Sequence, residues 1–240
     1  MKLKPTDFIV ILTGAGISAE SGIRTFRAQD GLWEEHRIED VATPEGFIRN
    51  PKLVHSFYNQ RRRQLQDASV MPNPAHLALT RLEQQWPGDV LIITQNVDNL
   101  HERAGSQKLL HMHGELNKIF CQFCKTRLIW NTDLSVETAC PHCGNVGMLR
   151  PDIVWFGETP YHMDEILRAL AVCQLFISIG TSGLVYPAAK FAQIACQAYR
   201  IETNLQETEI SGSFNKHLIG PAGSEIPKLV EALLAREFLA

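Results

Sequence analysis

A short apolar run, Phe8-Ile9-Val10-Ile11-Leu12, passes directly into Thr13-Gly14-Ala15-Gly16-Ile17-Ser18-Ala19. A branched run of this length, stopped by a glycine turn, reads as a strand buried on both faces. The G-x-G-x-x-A turn between that strand and a helical stretch confines the chain to an open α/β sheet of the dinucleotide-binding kind. In that reading Gly14 permits the tight turn and Gly16 lets backbone approach a pyrophosphate. Ala15 opens the helical stretch, whose first N–H groups face the anion. The acidic residue that usually follows roughly twenty positions later is missing. The chain runs instead through Glu20-Ser21-Gly22-Ile23-Arg24-Thr25-Phe26-Arg27 to an Asp30-Gly31 turn, which departs from the standard dehydrogenase site.

Four more runs read as buried strands: Val90–Thr94, Leu109–His111, Leu175–Ile179 and Tyr199–Glu202. Helical patterns alternate with them, which implies a parallel, doubly wound, Rossmann-like sheet. Two inserts interrupt it. Residues 34–75 are mostly helical and charged, with Thr43-Pro44-Glu45 as a helix start, and Pro72-Asn73-Pro74 marks the return. Residues 116–149 hold a cysteine-rich module. The expected division is therefore a sheet domain of 1–33, 76–115 and 150–240, and a smaller module made of the two inserts. A last helix is expected from near Ser224 through Leu234, and the cleft between domain and module is the natural ligand site. A chain of 240 residues can hold one sizeable core plus such a module. Its net charge of −3 supplies no general attraction to nucleic acid or anionic membrane. No apolar stretch approaches the roughly twenty residues of a membrane span. The apolar run after Lys4 is broken at once by Gly14 and Gly16, so it reads as a first strand rather than a signal peptide.

Cys121 and Cys124 are spaced C-x2-C, and Cys140 and Cys143 repeat the spacing after fifteen intervening residues. Two such knuckles converge four thiolates on one tetrahedral zinc ion. Redox-active pairs or disulfides are the competing readings. The paired spacing favours structural zinc, and the lack of a disulfide framework suits a reducing, cytoplasmic compartment. With cysteine at all four positions no ligand position stays open for catalysis. His142 reads as a solvent-facing loop residue, and Cys173 and Cys196 as core thiols.

The strand Val90–Thr94 runs into Gln95-Asn96-Val97-Asp98-Asn99-Leu100-His101, and His111-Met112-His113-Gly114 follows. An amide pair, a carboxylate and histidines off the carboxyl end of a buried strand are what an active site on an open α/β sheet presents. Histidine suits a general base near neutral pH. His111 and His113 have strand spacing and could share a face, so residue physics leaves both open.

Taken in order, GAGISAESGIRTFR (Gly14 to Arg27), TQNVDNLHERAG, HMHGEL, the paired C-x2-C, RPDIVWFGE (Arg150 to Glu158), IGTSGLVYPAA (Ile179 to Ala189), TNL (Thr203 to Leu205) and GPA (Gly220 to Ala222) resemble one family over nearly the whole chain. That family is the sirtuins, NAD-dependent protein lysine deacylases. The resemblance implies attack of an acyl-lysine oxygen on the nicotinamide ribose, release of nicotinamide, and an O-acyl-ADP-ribose product. It assigns the general base to His113 and leaves His111 as a packed or hydrogen-bonded histidine. It gives Asn96 and Asp98 to the nicotinamide amide and an ordered water, and Gln95 to the ribose. Ser18, Phe26 and Arg27 fall on the cofactor segment, with Phe26 screening the reactive carbon. Gly180, Thr181 and Ser182 correspond to ribose and phosphate contacts, Asn204 and Leu205 to adenosine, and Ala222 to adenine. A substrate peptide would add as a strand between Val154–Glu158, including Phe156 and Gly157, and Gly183–Tyr186.

Tyr58 and Arg61 stand three apart on one helix face. Read alone, Arg61-Arg62-Arg63 is a solvated basic face. Y-x-x-R, however, resembles the element by which the desuccinylase branch reads the distal carboxylate of succinyl- or malonyl-lysine, with Arg61 as its bidentate partner. The expectation is a dual deacylase that also removes acetyl groups. Two other classes remain: protein mono-ADP-ribosyl transfer on the same fold, and a non-catalytic zinc-ribbon module using Lys118, Lys125 and Arg127 on nucleic acid. The acidic balance opposes the second. Sequence does not set the oligomeric state, and a monomer is the default expectation.

Overall fold

The computed structural model describes residues 3–24, 32–33 and 36–236. Six strands form one parallel sheet, in the spatial order Lys216–Ile219, Tyr199–Asn204, Leu175–Ile179, Ile9–Thr13, Val90–Thr94, Leu109–His111. Ile9 pairs with Val90 on one side and Leu175 on the other, and the register runs unbroken to Thr13. The chain grows outward from the central strand in one direction, then returns and grows in the other. That reversal lies between Ile9–Thr13 and Leu175–Ile179, where a doubly wound sheet opens a crevice at its carboxyl ends.

Alternation along the central strand divides the core. Ile9 and Ile11 join Ile92, Ile177 and Ile201 under the helices Pro74–Gln85 and Ala222–Leu234. Val10 and Leu12 join Ile93 and Phe176 under Met163–Val172 and Phe191–Ile194. Both faces being covered, the strands read as continuous apolar runs rather than alternating ones. Two expected boundaries move slightly. The first strand begins at Ile9 rather than Phe8, and the fifth continues to Asn204. The edge strand Lys216–Ile219 was not foreseen, because its alternate residues face solvent and its composition is mixed.

The smaller module packs around a separate apolar cluster that includes Val54, Phe57, Tyr58, Leu65, Leu116 and Trp155. Two of its helices begin where short polar side chains cap them. Thr43 Oγ1 accepts from Gly46 N at 3.0 Å to open Pro44–Arg49, and Asn50 Oδ1 accepts from Leu53 N at 3.1 Å to open Pro51–Leu65. Asn73 caps Pro74–Gln85 in a reciprocal box with His76. A three-stranded antiparallel sheet, ordered Arg127–Ile129, Gly114–Cys121, Leu149–Ile153, carries the cysteine knuckles. No helix among the described residues is long and apolar enough to cross a membrane.

Burial holds three histidines neutral. It pushes His55 down to about 4, with the nearby Arg62 charge adding to the effect, pushes His76 down to about 4, and pushes His101 well below the ordinary imidazole value. These groups gain protons on unfolding, so their stabilisation is complete above pH 6.5 and is lost as pH falls toward 4. His111 acts oppositely: burial opposes its charge, but Glu102 outweighs burial and raises its pKa. Its contribution is complete below the unfolded value and fades as pH rises through the raised one. His55 and His76 are each worth on the order of 3 kcal/mol across that window. The melting temperature should therefore drop steeply between pH 6.5 and pH 4. Calorimetry giving a flat profile over that interval would show that the histidines are not buried neutral.

Candidate active site

A cleft of about 1020 Å³ lies at the carboxyl ends of the parallel strands, between the sheet and the smaller module. That is the upper end of the range for small-molecule sites. At its floor two loops interlock. Gly14 N donates to Ile179 O at 2.9 Å and Gly16 N donates to Gly180 O at 2.8 Å. A Cβ on Gly14 would stand 2.8 Å from Gly180 O, and one on Gly16 would stand 2.6 Å from Gly180 Cα. This corrects the expected reason for Gly14 and adds a second one for Gly16. Gly14 has an extended backbone open to any residue (φ −123°), so no tight turn demands it. What demands glycine at both positions is the approach of the two loops. The helical turn that follows, Ala15–Ser18, is only four residues long.

Next to these loops, Asn96 Nδ2 donates to Gly14 O and to Ser18 Oγ, each at 3.1 Å. Ser18 Oγ donates onward to Asp98 Oδ2 at 2.9 Å, and Asp98 Oδ1 accepts from Leu100 N at 3.1 Å. With its amide nitrogen committed, Asn96 presents Oδ1 as its ligand acceptor. A carboxylate has roughly four lone-pair sites, so Asp98 keeps acceptor capacity. Burial raises its pKa.

The two histidines separate clearly. His111 Nδ1 faces Asn96 O at 3.1 Å and Nε2 faces Glu102 Oε1 at 2.8 Å. Both partners are acceptors, so both ring nitrogens carry protons and His111 has no lone pair to act as a base. It does not line the cleft. His113 does, and its Nδ1 lies 3.1 Å from Gln95 O. A carbonyl only accepts, so the proton sits on Nδ1 and the lone pair on Nε2. Burial lowers the pKa of His113, against a smaller opposing effect of the Gln95 carbonyl. Gln95 Nε2 also donates to Thr181 Oγ1 at 3.1 Å, linking the histidine loop to the loop after Ile179.

Tyr58 and Arg61 line the same cleft. Tyr58 is fully buried, and its hydroxyl accepts from Trp155 Nε1 at 2.9 Å, which leaves its own proton to donate. Arg61 stacks 3.6 Å over the Phe57 ring and donates from Nη1 to Phe57 O at 2.9 Å. The Val154–Glu158 segment closes this wall as a turn rather than a strand. Arg150 grips Glu158 through two bonds, at 2.7 and 2.8 Å, and lies 3.5 Å over the Trp155 ring. Val154 N donates to His113 O and Phe156 N to Ala42 O, both at 2.9 Å. An added peptide would therefore pair mainly with carbonyls of this segment. Gly183–Tyr186 is likewise not a strand, though Leu184, Val185 and Tyr186 line the cleft, as do Val154, Phe156 and Gly157.

Ala15, Gly180, Ser182, Asn204, Leu205 and Ala222 also line the cleft. Phe26 and Arg27 lie outside the described residues. Away from the cleft, Cys121 Sγ lies 3.8 Å from Cys143 Sγ, and Cys124 Sγ lies 3.8 Å from Cys140 Sγ. All four sulfurs fall within 4.8 Å of one another and none is in a disulfide. Tetrahedral zinc with bonds of about 2.3 Å requires sulfurs about 3.8 Å apart, so the donor set fits one zinc ion. Cys173 is buried as expected. Cys196 is exposed, because it follows the short helix Phe191–Ile194 on its solvent side.

The model of the Sir2 family matches residues 14–187. The chain belongs to the Sir2 family. It is 61% identical over 234 residues to a Bdellovibrio bacteriovorus protein named NAD-dependent protein deacylase, covering 98% of this chain and 100% of that one. The crystal structure of a Sir2 homolog–NAD complex superposes with a TM-score of 0.85 at 37% identity, covering 97% of this chain and 91% of that one. The structure of Sir2Af2 bound to a myristoylated histone peptide gives 0.74 at 33% identity, covering 96% and 93%.

In this Sir2 chain the structure adds a residue that sequence reading passed over. Glu202, 2% exposed, accepts from Asn204 Nδ2 at 3.0 Å, Thr208 Oγ1 at 2.6 Å and Ser211 Oγ, and meets His217 Nδ1 at 3.2 Å. It fastens the loop after Asn204 beside the cleft. The available signal was an acid, Glu202, inside a predicted buried strand.

Proposed function

We propose that this Sir2 chain removes succinyl, malonyl and acetyl groups from protein lysines by consuming NAD, releasing nicotinamide and O-acyl-ADP-ribose. The observation that carries this is one cleft lined together by His113 with a proton-free Nε2, the Asn96–Ser18–Asp98 chain, and Tyr58 with Arg61. An amide oxygen is a weak nucleophile, so the site must contribute position and electrostatics. Asn96 Oδ1 suits the N–H of the nicotinamide amide, and Asp98 offers acceptors to that amide or to a water. His113 Nε2 takes the proton of the ribose hydroxyl that attacks after nicotinamide departs. Gln95 holds both the His113 ring and the neighbouring Thr181 loop. We place Arg61 and the Tyr58 hydroxyl on the distal carboxylate of an acidic acyl group, and structural zinc on the four cysteines. We also place the chain in a reducing, cytoplasmic compartment, where free thiolate ligands persist.

The test is mass spectrometry on matched acetyl- and succinyl-lysine peptides, with and without NAD. NAD-dependent deacylation with release of nicotinamide is expected. ADP-ribosylated protein as the main product would favour the transferase instead. Replacing Arg61 with Met should lower kcat/KM for the succinyl peptide roughly 10- to 100-fold relative to the acetyl peptide, the worth of a charge-assisted bond. Equal losses on both peptides would give Arg61 a folding role.

A further inference from the structure

The three consecutive arginines of the helix Pro51–Leu65 go to three different places. Arg61 lines the cleft. Arg63 reaches Asp133 Oδ1 at 2.6 Å on the surface. Arg62 is 2% exposed, and its hydrogen bonds among the described residues go to carbonyl oxygens. Its Nε donates to Leu116 O at 2.9 Å, and its Nη1 donates to Asn59 Oδ1 at 2.8 Å and Thr132 O at 3.2 Å. A guanidinium taken out of water is costly; the Asp133 charge nearby offsets part of that cost, and closely placed carbonyls must supply the rest. Asn59, three residues earlier, pairs with the backbone of Leu134 in both directions: Nδ2 donates to Leu134 O and Oδ1 accepts from Leu134 N, each at 2.9 Å. Gln66 Nε2 donates to Asn131 O at 2.6 Å.

Asn59, Arg62 and Gln66 form one stripe at helical spacing, and Tyr58, Arg61 and Leu65 form the next. The first stripe is stitched to loop 131–134 and to Leu116, within the module that carries the cysteines. The second lines the cleft. Arg61 is tethered within its own helix, by Phe57 O and by the Phe57 ring. These tethers couple its guanidinium to the helix, so where it points depends on how the helix is seated. Apolar packing of Val54, Phe57 and Leu65 sets the depth of the helix, and the Tyr58–Trp155 hydrogen bond holds its cleft side. The directional bonds of the neighbouring stripe fix the helix against loop 131–134.

We propose that Asn59 and Arg62 are positioning residues for acyl selectivity: by fastening the helix to loop 131–134 they aim Arg61 at the distal carboxylate of an acidic acyl chain. This rests on the reading of Arg61 as the carboxylate partner. Neither residue touches the reacting atoms, and an acetyl group has no carboxylate to miss. Loosening the stripe thus affects acidic acyl groups selectively.

The experiment compares Arg62→Leu, Arg62→Lys, Asn59→Ala and the surface pair Arg63→Ala/Gln66→Ala with wild type and Arg61→Met, measuring kcat and KM on acetyl- and succinyl-lysine peptides. Arg62→Leu and Asn59→Ala should raise the succinyl-to-acetyl KM ratio about tenfold, with kcat for the acetyl peptide close to wild type. Arg62→Lys keeps a charge and a donor and should recover part of the ratio. If Arg62→Leu fails to fold, the surface pair, which weakens the same attachment from the solvent side, should still raise the ratio. An unchanged ratio in every folded stripe variant, while Arg61→Met shifts it, overturns the proposal alone. An unchanged ratio in Arg61→Met itself overturns the carboxylate reading beneath it.

Discussion

Replacing His113 with alanine is expected to lower kcat for every acyl peptide by about 10²- to 10⁴-fold, the usual worth of a general base. Three features make the effect large. The ring sits in the cleft, its tautomer is fixed by Gln95 O at 3.1 Å, and the other candidate, His111, has both nitrogens committed to acceptors. No second imidazole can take over. The same geometry gives a pH signature. Burial lowers the pKa of His113, so the base stays proton-free to more acidic pH than a free imidazole. The acid limb of kcat/KM should therefore fall below pH 6.5, with activity lost as pH drops through the lowered value. It should be measured between the acid unfolding range and pH 8, with folding followed in parallel. Retention of near-wild-type kcat by His113→Ala, or an acid limb above pH 7, would remove His113 from the base role.

Much of this site was legible because α/β sheets turn sequence into position. Once Ile9–Thr13, Val90–Thr94 and Leu175–Ile179 are recognised as buried parallel strands, the residues after each one must converge. Gly14, Gln95 and Gly180 do so despite large separations in sequence. What sequence left open depended on contacts between distant segments. Strand spacing could not separate His111 from His113, because Glu102 decides the matter from a helix nearby. The need for Gly14 and Gly16 to clear Gly180 was missed because Gly180 lies more than 160 positions away in the chain. The arginine triplet looked like one charged face. The fold splits it between cleft, interior and surface, which only packing against loop 131–134 could determine. Lys216–Ile219 escaped notice because an edge strand with one wet face lacks a continuous apolar run.

Removal of zinc should produce the second large effect, and it should begin locally. The four sulfurs surround a point with the spacing of a tetrahedral zinc site, and their cluster contains only a few apolar residues, among them Ile119, Leu134 and Leu149. So small a core cannot hold itself together without a staple. Structural zinc contributes about 10–16 kcal/mol of apparent binding energy in zinc-finger peptides, far beyond what those side chains can replace. Cys121→Ser or Cys140→Ser should therefore drop the metal content from one zinc per chain toward zero and disorder the ribbon. The parallel sheet, with its own two-sided core, should persist. Loop 131–134 is also the surface that Asn59, Arg62 and Gln66 hold, so the loss should spread into the helix Pro51–Leu65 and abolish deacylation, although no cysteine lines the cleft. Metal analysis with hydrogen exchange tests each stage: exchange should rise first across 116–149, then along 51–65, and least in Ile9–Thr13. Full activity in a zinc-free, folded variant would show that the ribbon needs no metal. Uniform loss of protection across both domains would show that the parallel sheet cannot stand without it.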